Sequence, residues 1–177
     1  QEVVATLTDL GATFVDSTMP DTEQAAEEWS PLCAVETSFA HQQTYPSQKA
    51  QYGPGLAGLL NLGQSVTALE YQRLLLNRAA LRGTISALFS QVDLILAPAT
   101  AYAGLTWDTM TRFGTDKALF NGVLRYTSAF DSSGHPTITL PGGKTAAGAP
   151  VGFQLVAAHF DEVSMIQAAW AWQQVTD

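Results

Sequence analysis

Ser128-Ala-Phe-Asp-Ser-Ser-Gly-His-Pro-Thr-Ile-Thr-Leu-Pro-Gly-Gly-Lys-Thr-Ala-Ala-Gly-Ala-Pro-Val-Gly-Phe-Gln-Leu155 carries the most informative pattern in the chain. It holds two apolar runs, Thr137–Leu140 and a second that starts at Val151 and continues to Val156, each the length of a buried strand. A Pro/Gly-rich turn from Pro141 through Gly142, Gly143 and Gly148 to Pro150 joins them. Proline has no N–H to give to a ladder, so Pro136, Pro141 and Pro150 are expected to set the strand ends. The result is a hairpin at the centre of the sheet, with the remaining segments packed around it.

Upstream, Val92–Ala97 reads as an apolar strand of the kind covered on both faces, stopped by Pro98. Before it, Thr67-Ala-Leu-Glu70 is a capping box opening the strongest helix of the chain. That helix should run to about Ser90, roughly 35 Å at the helical rise, with Leu74, Leu81, Ile85 and Leu88 on one face. At the start of the chain, Val3, Leu7 and Leu10 recur at helical spacing, and Gly11 is a plausible stop. Ala12–Asp16 then reads as a strand. Asp21 and Gln24 suggest a second capping box, followed by a stripe of Ala25, Trp29, Leu32, Cys33, Val35 and Phe39 that Pro31 should kink or divide. Residues 47–63, carrying Gly53-Pro54-Gly55, read as loop with at most a short helix near Leu56–Leu60, and 102–125 is ambiguous. Asp161 can cap a last helix with Val163, Ile166 and Trp170 on its main face and Met165, Ala169 and Trp172 broadening it.

Composition narrows the function. Of the 177 residues, 46% are hydrophobic and only 14% charged, lean surface charge for an independent domain of this size, so some apolar surface should face other protein. Eight basic residues against sixteen acidic ones give a net charge of −8 with no basic run, which argues against a nucleic-acid partner. No apolar run approaches the ~20 residues that span a bilayer, so no membrane partner is expected either. Nothing at the start resembles a signal peptide, and a cytoplasmic setting is expected. One cysteine, Cys33, excludes an internal disulfide. His41, His135 and His159 share no ligand spacing and Cys33 has no partner, so no metal is expected. Glu27-Glu28 and Asp161-Glu162 sit at expected helix starts, where acids suit the macrodipole.

The spacing Gly134-His-Pro-(Thr-Ile-Thr-Leu)-Pro-Gly-Gly143, then Gly148-Ala-Pro-Val-Gly-Phe-Gln-Leu155, resembles the C-terminal signature of the amidase signature family. A second point of agreement is Tyr71…Arg78…Phe89…Val92-Asp-Leu-Ile-Leu-Ala-Pro98-Ala-Thr100. The resemblance implies an α/β fold, a mixed sheet covered by helices, of which residues 1–177 supply one piece: the C-terminal portion of an amidase domain. It implies hydrolysis of carbon–nitrogen amide bonds in a small-molecule amide, without metal or organic cofactor.

Family members use a Ser–cis-Ser–Lys triad held in a Gly-Gly-Ser-Ser-Gly-Gly-Ser stretch with the lysine upstream. Neither element occurs here, so no catalytic residue carries over to this chain. The nucleophile would lie elsewhere, and the expected partner is the missing N-terminal catalytic polypeptide or a second copy. A non-catalytic binding or assembly module that keeps the scaffold is the alternative. Ser132-Ser133, with Lys144 nearby in sequence, lacks the flanking glycines and reads as a turn whose side chains bond local backbone. Substrate-binding candidates are Pro98 and Thr100 at a strand end and Phe130, Asp131 and His135 in the loop before the hairpin. Asp131 departs from the asparagine usual there. Trp170 and Trp172 read as core or interface.

Overall fold

A computed structural model describes residues 2–176. In chain order the elements are α1 (Glu2–Asp9), α2 (Glu23–Ala40), α3 (Pro54–Ser65), α4 (Ala68–Leu88), β1 (Leu94–Pro98), α5 (Trp107–Met110), α6 (Lys117–Leu124), α7 (Ser128–Ser133), β2 (Thr137–Lys144), β3 (Pro150–Ala157) and α8 (Glu162–Thr176), with one 3₁₀ turn at Lys49–Gln51. The three strands pair antiparallel in the order β1-β3-β2, giving the α/β class with a small sheet in which every pairing is antiparallel.

The hairpin forms as the proline and glycine pattern suggests, but its strands are longer than expected. β2 continues past Pro141 to Lys144, with a register irregularity between those two residues. The pairing explains why the proline is tolerated. Ala157 N–H donates to the Pro136 carbonyl, which fixes Ile138 and Leu140 as the residues whose backbone groups face β3. Pro141 then points its nitrogen at the outer edge, where no donor is required. Its carbonyl accepts from Trp172 Nε1 at 3.1 Å.

Alternation along β3 builds two layers. Phe153, Leu155 and Ala157 pack with Leu7 of α1, Leu140 of β2, and Met165, Ala169 and Trp172 of α8. Phe153 meets Trp172 edge-on, with ring centroids 4.8 Å apart. On the opposite face Gln154 and Val156 are 2% and 0% exposed. The sequence places Val163, Ile166 and Trp170 on the inward face of α8, and the structure reverses this. Those three are 65%, 55% and 62% exposed, while Met165, Ala169 and Trp172 are buried. α8 is apolar nearly all round, so periodicity alone could not choose its face.

Several helices also differ from their expected form. α2 runs unbroken through Pro31, losing only the bond to the Glu27 carbonyl. Its N-cap is Thr22 rather than Asp21; Asp21 Oδ1 instead accepts from Glu23 N–H at 2.9 Å, and Gln24 bonds Glu28. Phe39, placed in its stripe by sequence, is exposed. The stretch read as loop holds α3, a twelve-residue helix with Pro54 in its first turn. Its glycines disguised it, and one of them is required. A Cβ at Gly63 would overlap the Ala34 carbonyl and Ser38 Oγ of α2, so the close approach of α2 and α3 depends on that glycine. Ser38 Oγ adds a hydrogen bond to the Leu60 carbonyl at 2.8 Å. α4 has the full capping box between Thr67 and Glu70 and buries Leu74 and Ile85. Bonds from Thr67 hold the Glu70 carboxyl below its ordinary range.

Gly11, with φ of 98°, ends α1 as expected. The Ala12–Asp16 strand does not form: these residues pair with no strand of the sheet. Among the described residues no helix is long and apolar enough to cross a membrane.

Candidate functional site

A strand that ends in proline, a short helix capped by an aspartate and an irregular segment, unpaired among the described residues, enclose one large cavity. Its volume is about 1580 Å³, and its walls come from β1, residues 11–23, α6 and the α6–α7 corner. β1 brings Pro98 to it by ending there, since Pro98 is the last residue to pair with β3. α6 is positioned by its cap. Asp116 accepts from Leu119 N–H at 3.0 Å, and Leu119 is buried, so Asn121 and Arg125 come to the cavity wall. Tyr102 lies against Gly122, whose absent side chain makes room for the phenol ring.

Gln154 ties these rims together. Its Nε2 donates to the Pro98 carbonyl at 2.8 Å and to the Tyr126 carbonyl at 3.1 Å. One buried amide therefore fixes the end of β1 relative to the start of α7. Phe130 of α7 is buried and forms part of the wall.

The five residues singled out from sequence separate into two places. Pro98 and Phe130 meet at the cavity, and Thr100 stands two residues past Pro98, its Oγ1 accepting from Tyr102 N–H at 3.2 Å. Thr100, Asp131 and His135 do not line it. Asp131 is exposed on α7; partial desolvation raises its carboxyl pKa, and its charge helps raise that of the Cys33 thiol. Burial is the main cause of the Cys33 shift, so this thiol is held in its protonated, unreactive form.

His135 belongs to a separate buried cluster. Its Nδ1 lies 2.8 Å from Ser133 Oγ and its Nε2 3.2 Å from Ser86 Oγ. The ring stacks on Phe89 and lies 4.0 Å, centroid to centroid, from His159. Arg82 Nε donates to His159 Nε2 at 3.1 Å. Burial first, then His159 and Arg82, lower the His135 pKa to about 4, so the ring is neutral near pH 7. Both serine hydroxyls can donate or accept, and a neutral imidazole is satisfied in either tautomer.

This geometry bears on the Ser132-Ser133 pair. The expected turn is instead the end of α7, closed by Gly134 at φ 73° with its N–H on the Phe130 carbonyl. Ser133 Oγ bonds that carbonyl and the His135 ring, and at 1% exposure it is closed to substrate. Arg78 Nε donates to the Ser132 carbonyl at 2.8 Å while its Nη1 reaches Glu36 at 3.1 Å, tying α7 to α4 and α2. Lys144 is exposed at the far end of β2, about 20 Å along the strand from the serines. The lysine on the cavity wall, Lys117, donates to Glu27 at 2.7 Å, and this bond raises its pKa. It is held charged, the wrong state for a general base.

Sequence patterning passed over the α6 wall and the Gln154 clamp. The signal for α6 was present in Asp116 followed by Leu119, Phe120, Val123 and Leu124 at helical spacing. Among the described residues no group of three or more His, Cys, Asp or Glu side chains is placed to hold a metal ion.

Comparison with known proteins places this architecture. The family model described as Amidase matches residues 1–166. The chain is 36% identical over 175 residues to the putative amidase AmiD of Mycobacterium bovis, an alignment covering 99% of this chain and 37% of that protein. It is 27% identical over 177 residues to an amidase of Pseudomonas putida, covering 96% of this chain and 37% of the relative. Among solved structures, an amidase superposes with a TM-score of 0.81 at 21% identity, over 97% of this chain and 40% of the other. A bacterial aryl acylamidase of the amidase signature family gives 0.72 at 20% identity, over 98% and 38%. The chain thus spans well under half the length of the proteins it matches.

Proposed function

Because the chain belongs to the amidase signature family, we propose that residues 1–177 form one piece of an amidase domain, its C-terminal portion, which builds one wall of the cleft where a small-molecule amide is hydrolysed. The serine nucleophile and its lysine base come from the remaining portion of the domain. The observation that carries this reading is the chemistry of the cavity wall: it offers surfaces, a clamp and a charged lysine, but no hydroxyl paired with a base. Within that wall Pro98 and Phe130 contact the substrate or its neighbours, and Thr100 stands just past the strand end at its rim. His135 acts behind it by holding Ser133 at the end of α7, while Asp131 is exposed on α7. Coverage of 37% of the mycobacterial relative supports a domain completed by further polypeptide.

The test is activity with and without the rest of the domain. The 177-residue chain alone should turn over no simple aliphatic or aryl amide, and the complete protein should do so with inhibition by a serine-directed phosphonate. Phosphonate-sensitive turnover by the chain alone would overturn the reading. A complete protein that binds amides without hydrolysing them would favour the binding or assembly module instead.

A further inference from the structure

Lys117 and Arg125 both reach the cavity wall, and they differ in how their charge is met. Lys117, at the start of α6, donates to Glu27 of α2, and the charge of nearby Glu23 adds to that hold. Arg125, at the other end of α6, belongs to none of the ion pairs among the described residues. Its guanidinium lies over the Tyr126 ring, 5.8 Å from the centroid, a contact that orients the group without neutralising it. A cation suits the C-terminal end of a helix. That accounts for a positive charge at this end of α6, but not for its place on the cavity wall.

The backbone fixes where that charge sits. Gln154 Nε2 bonds the carbonyls of both Pro98 and Tyr126, so Arg125, one residue before Tyr126, stands beside the end of β1. Arg125 keeps helical backbone angles, φ −49° and ψ −40°, so Asn121, four residues earlier, lies on the same face of α6 one turn away. Both side chains line the cavity. The carboxylates on the same wall lie elsewhere. Asp21, bonded to the Glu23 amide, and Glu23 itself stand at the Lys117 end, about 12 Å from Arg125 along α6. Asp93 precedes β1, about 16 Å along the strand from Pro98. Both separations exceed the ~8 Å over which exposed charges act at physiological salt.

We infer that Arg125, with Asn121 one turn before it, seats a carboxylate of the substrate, so that this cleft selects amides that also carry an anionic group. A guanidinium presents a planar fork that matches a carboxylate with two parallel hydrogen bonds, and the Asn121 amide can donate a third. Pro98 and Phe130 offer apolar surface to the carbon chain between the carboxylate and the amide. With a net charge of −8 the chain as a whole repels anions, so a preference for them has to come from this local group. The inference rests on the proposed function in treating this wall as part of the substrate cleft, and it narrows the substrate from small amides to acidic ones.

The test is the affinity of the complete protein for matched pairs of amides, read by ligand-observed NMR titration. Succinamate is set against isocaproamide, in which an isopropyl group replaces the carboxylate. N-acetylglycine is set against N-isobutylacetamide, which moves the same exchange to the amine side. In at least one pair the anionic member should bind about 10- to 100-fold more tightly, the worth of one or two charge-assisted hydrogen bonds. That lead should shrink as salt is raised. Arg125→Gln should bring the ratio to about 1, and Arg125→Lys, which keeps the charge but loses the fork, to a value in between. Neutral members that bind as well or better in both pairs overturn the inference. So does an anion preference that Arg125→Gln leaves intact, or an equal loss of both members in that variant. Turnover of the same sample is scored independently. Turnover without anion preference sinks the inference and keeps the proposed function, and an Arg125-dependent preference without turnover does the reverse.

Discussion

Replacing Gln154 tests whether one buried amide holds the cavity together. The side chain is 2% exposed, and its Nε2 donates to the Pro98 and Tyr126 carbonyls at 2.8 and 3.1 Å. Gln154→Leu removes both donors while keeping most of the volume. Two net hydrogen bonds amount to about 1–3 kcal/mol. Pro98 lies on the cavity, where water can take over its carbonyl, and the leucine gains some apolar burial, so the loss should be about 2 kcal/mol.

Gln154→Glu separates hydrogen bonding from packing. It is isosteric, yet at pH 7 it sets a buried carboxylate against two carbonyl acceptors. That arrangement costs more than the leucine and raises the carboxyl pKa. Lowering the pH protonates the glutamic acid, restores one donor and recovers stability relative to the parent at the same pH. Urea unfolding followed by tryptophan fluorescence measures all three proteins. Both variants within about 0.5 kcal/mol of the parent, or Glu more stable than Leu at pH 7, would refute the clamp.

Acid should weaken the fold through His135. Its folded pKa is lowered to about 4 against an ordinary 6.5, so its contribution is complete above pH 6.5 and is lost as pH falls towards 4. The loss is about 3 kcal/mol, and His135→Gln should flatten that slope in a pH series of unfolding free energies. Ser132→Ala with Ser133→Ala should leave turnover by the complete protein within about tenfold, since loss of a true nucleophile removes several orders of magnitude. A larger drop with folding intact would give the pair a catalytic role. Gly63→Ala should destabilise by about 1–3 kcal/mol or more, because the new methyl meets the Ala34 backbone rather than a yielding side chain. An unchanged melting temperature would mean that α2 and α3 are not held as closely as described.

What could be read from the sequence was what local chemistry decides. The Thr67–Glu70 box opens α4, Gly11 stops α1 and the paired glycine–proline segments make the hairpin, each through contacts within a few residues. What could not be read depended on a neighbour. Pro141 stays in β2 because its nitrogen faces the edge, which is a property of register with β3. Three glycines are compatible with α3 because helix packing wants one of them small. α8 turns Met165, Ala169 and Trp172 inward because Phe153 and the Pro141 carbonyl await Trp172. The site follows the same division. Pro98 reaches the cavity from the strand end that a linear pattern marks, and Phe130 from a helix read there as loop, whereas His135, equally prominent in the motif, is drawn into a cluster with Ser86 and His159 far along the chain. Ala12–Asp16 carries the reasoning one step further. Its residues carry strand character, yet among the described residues they pair with no strand, so local pattern alone does not decide whether a ladder forms.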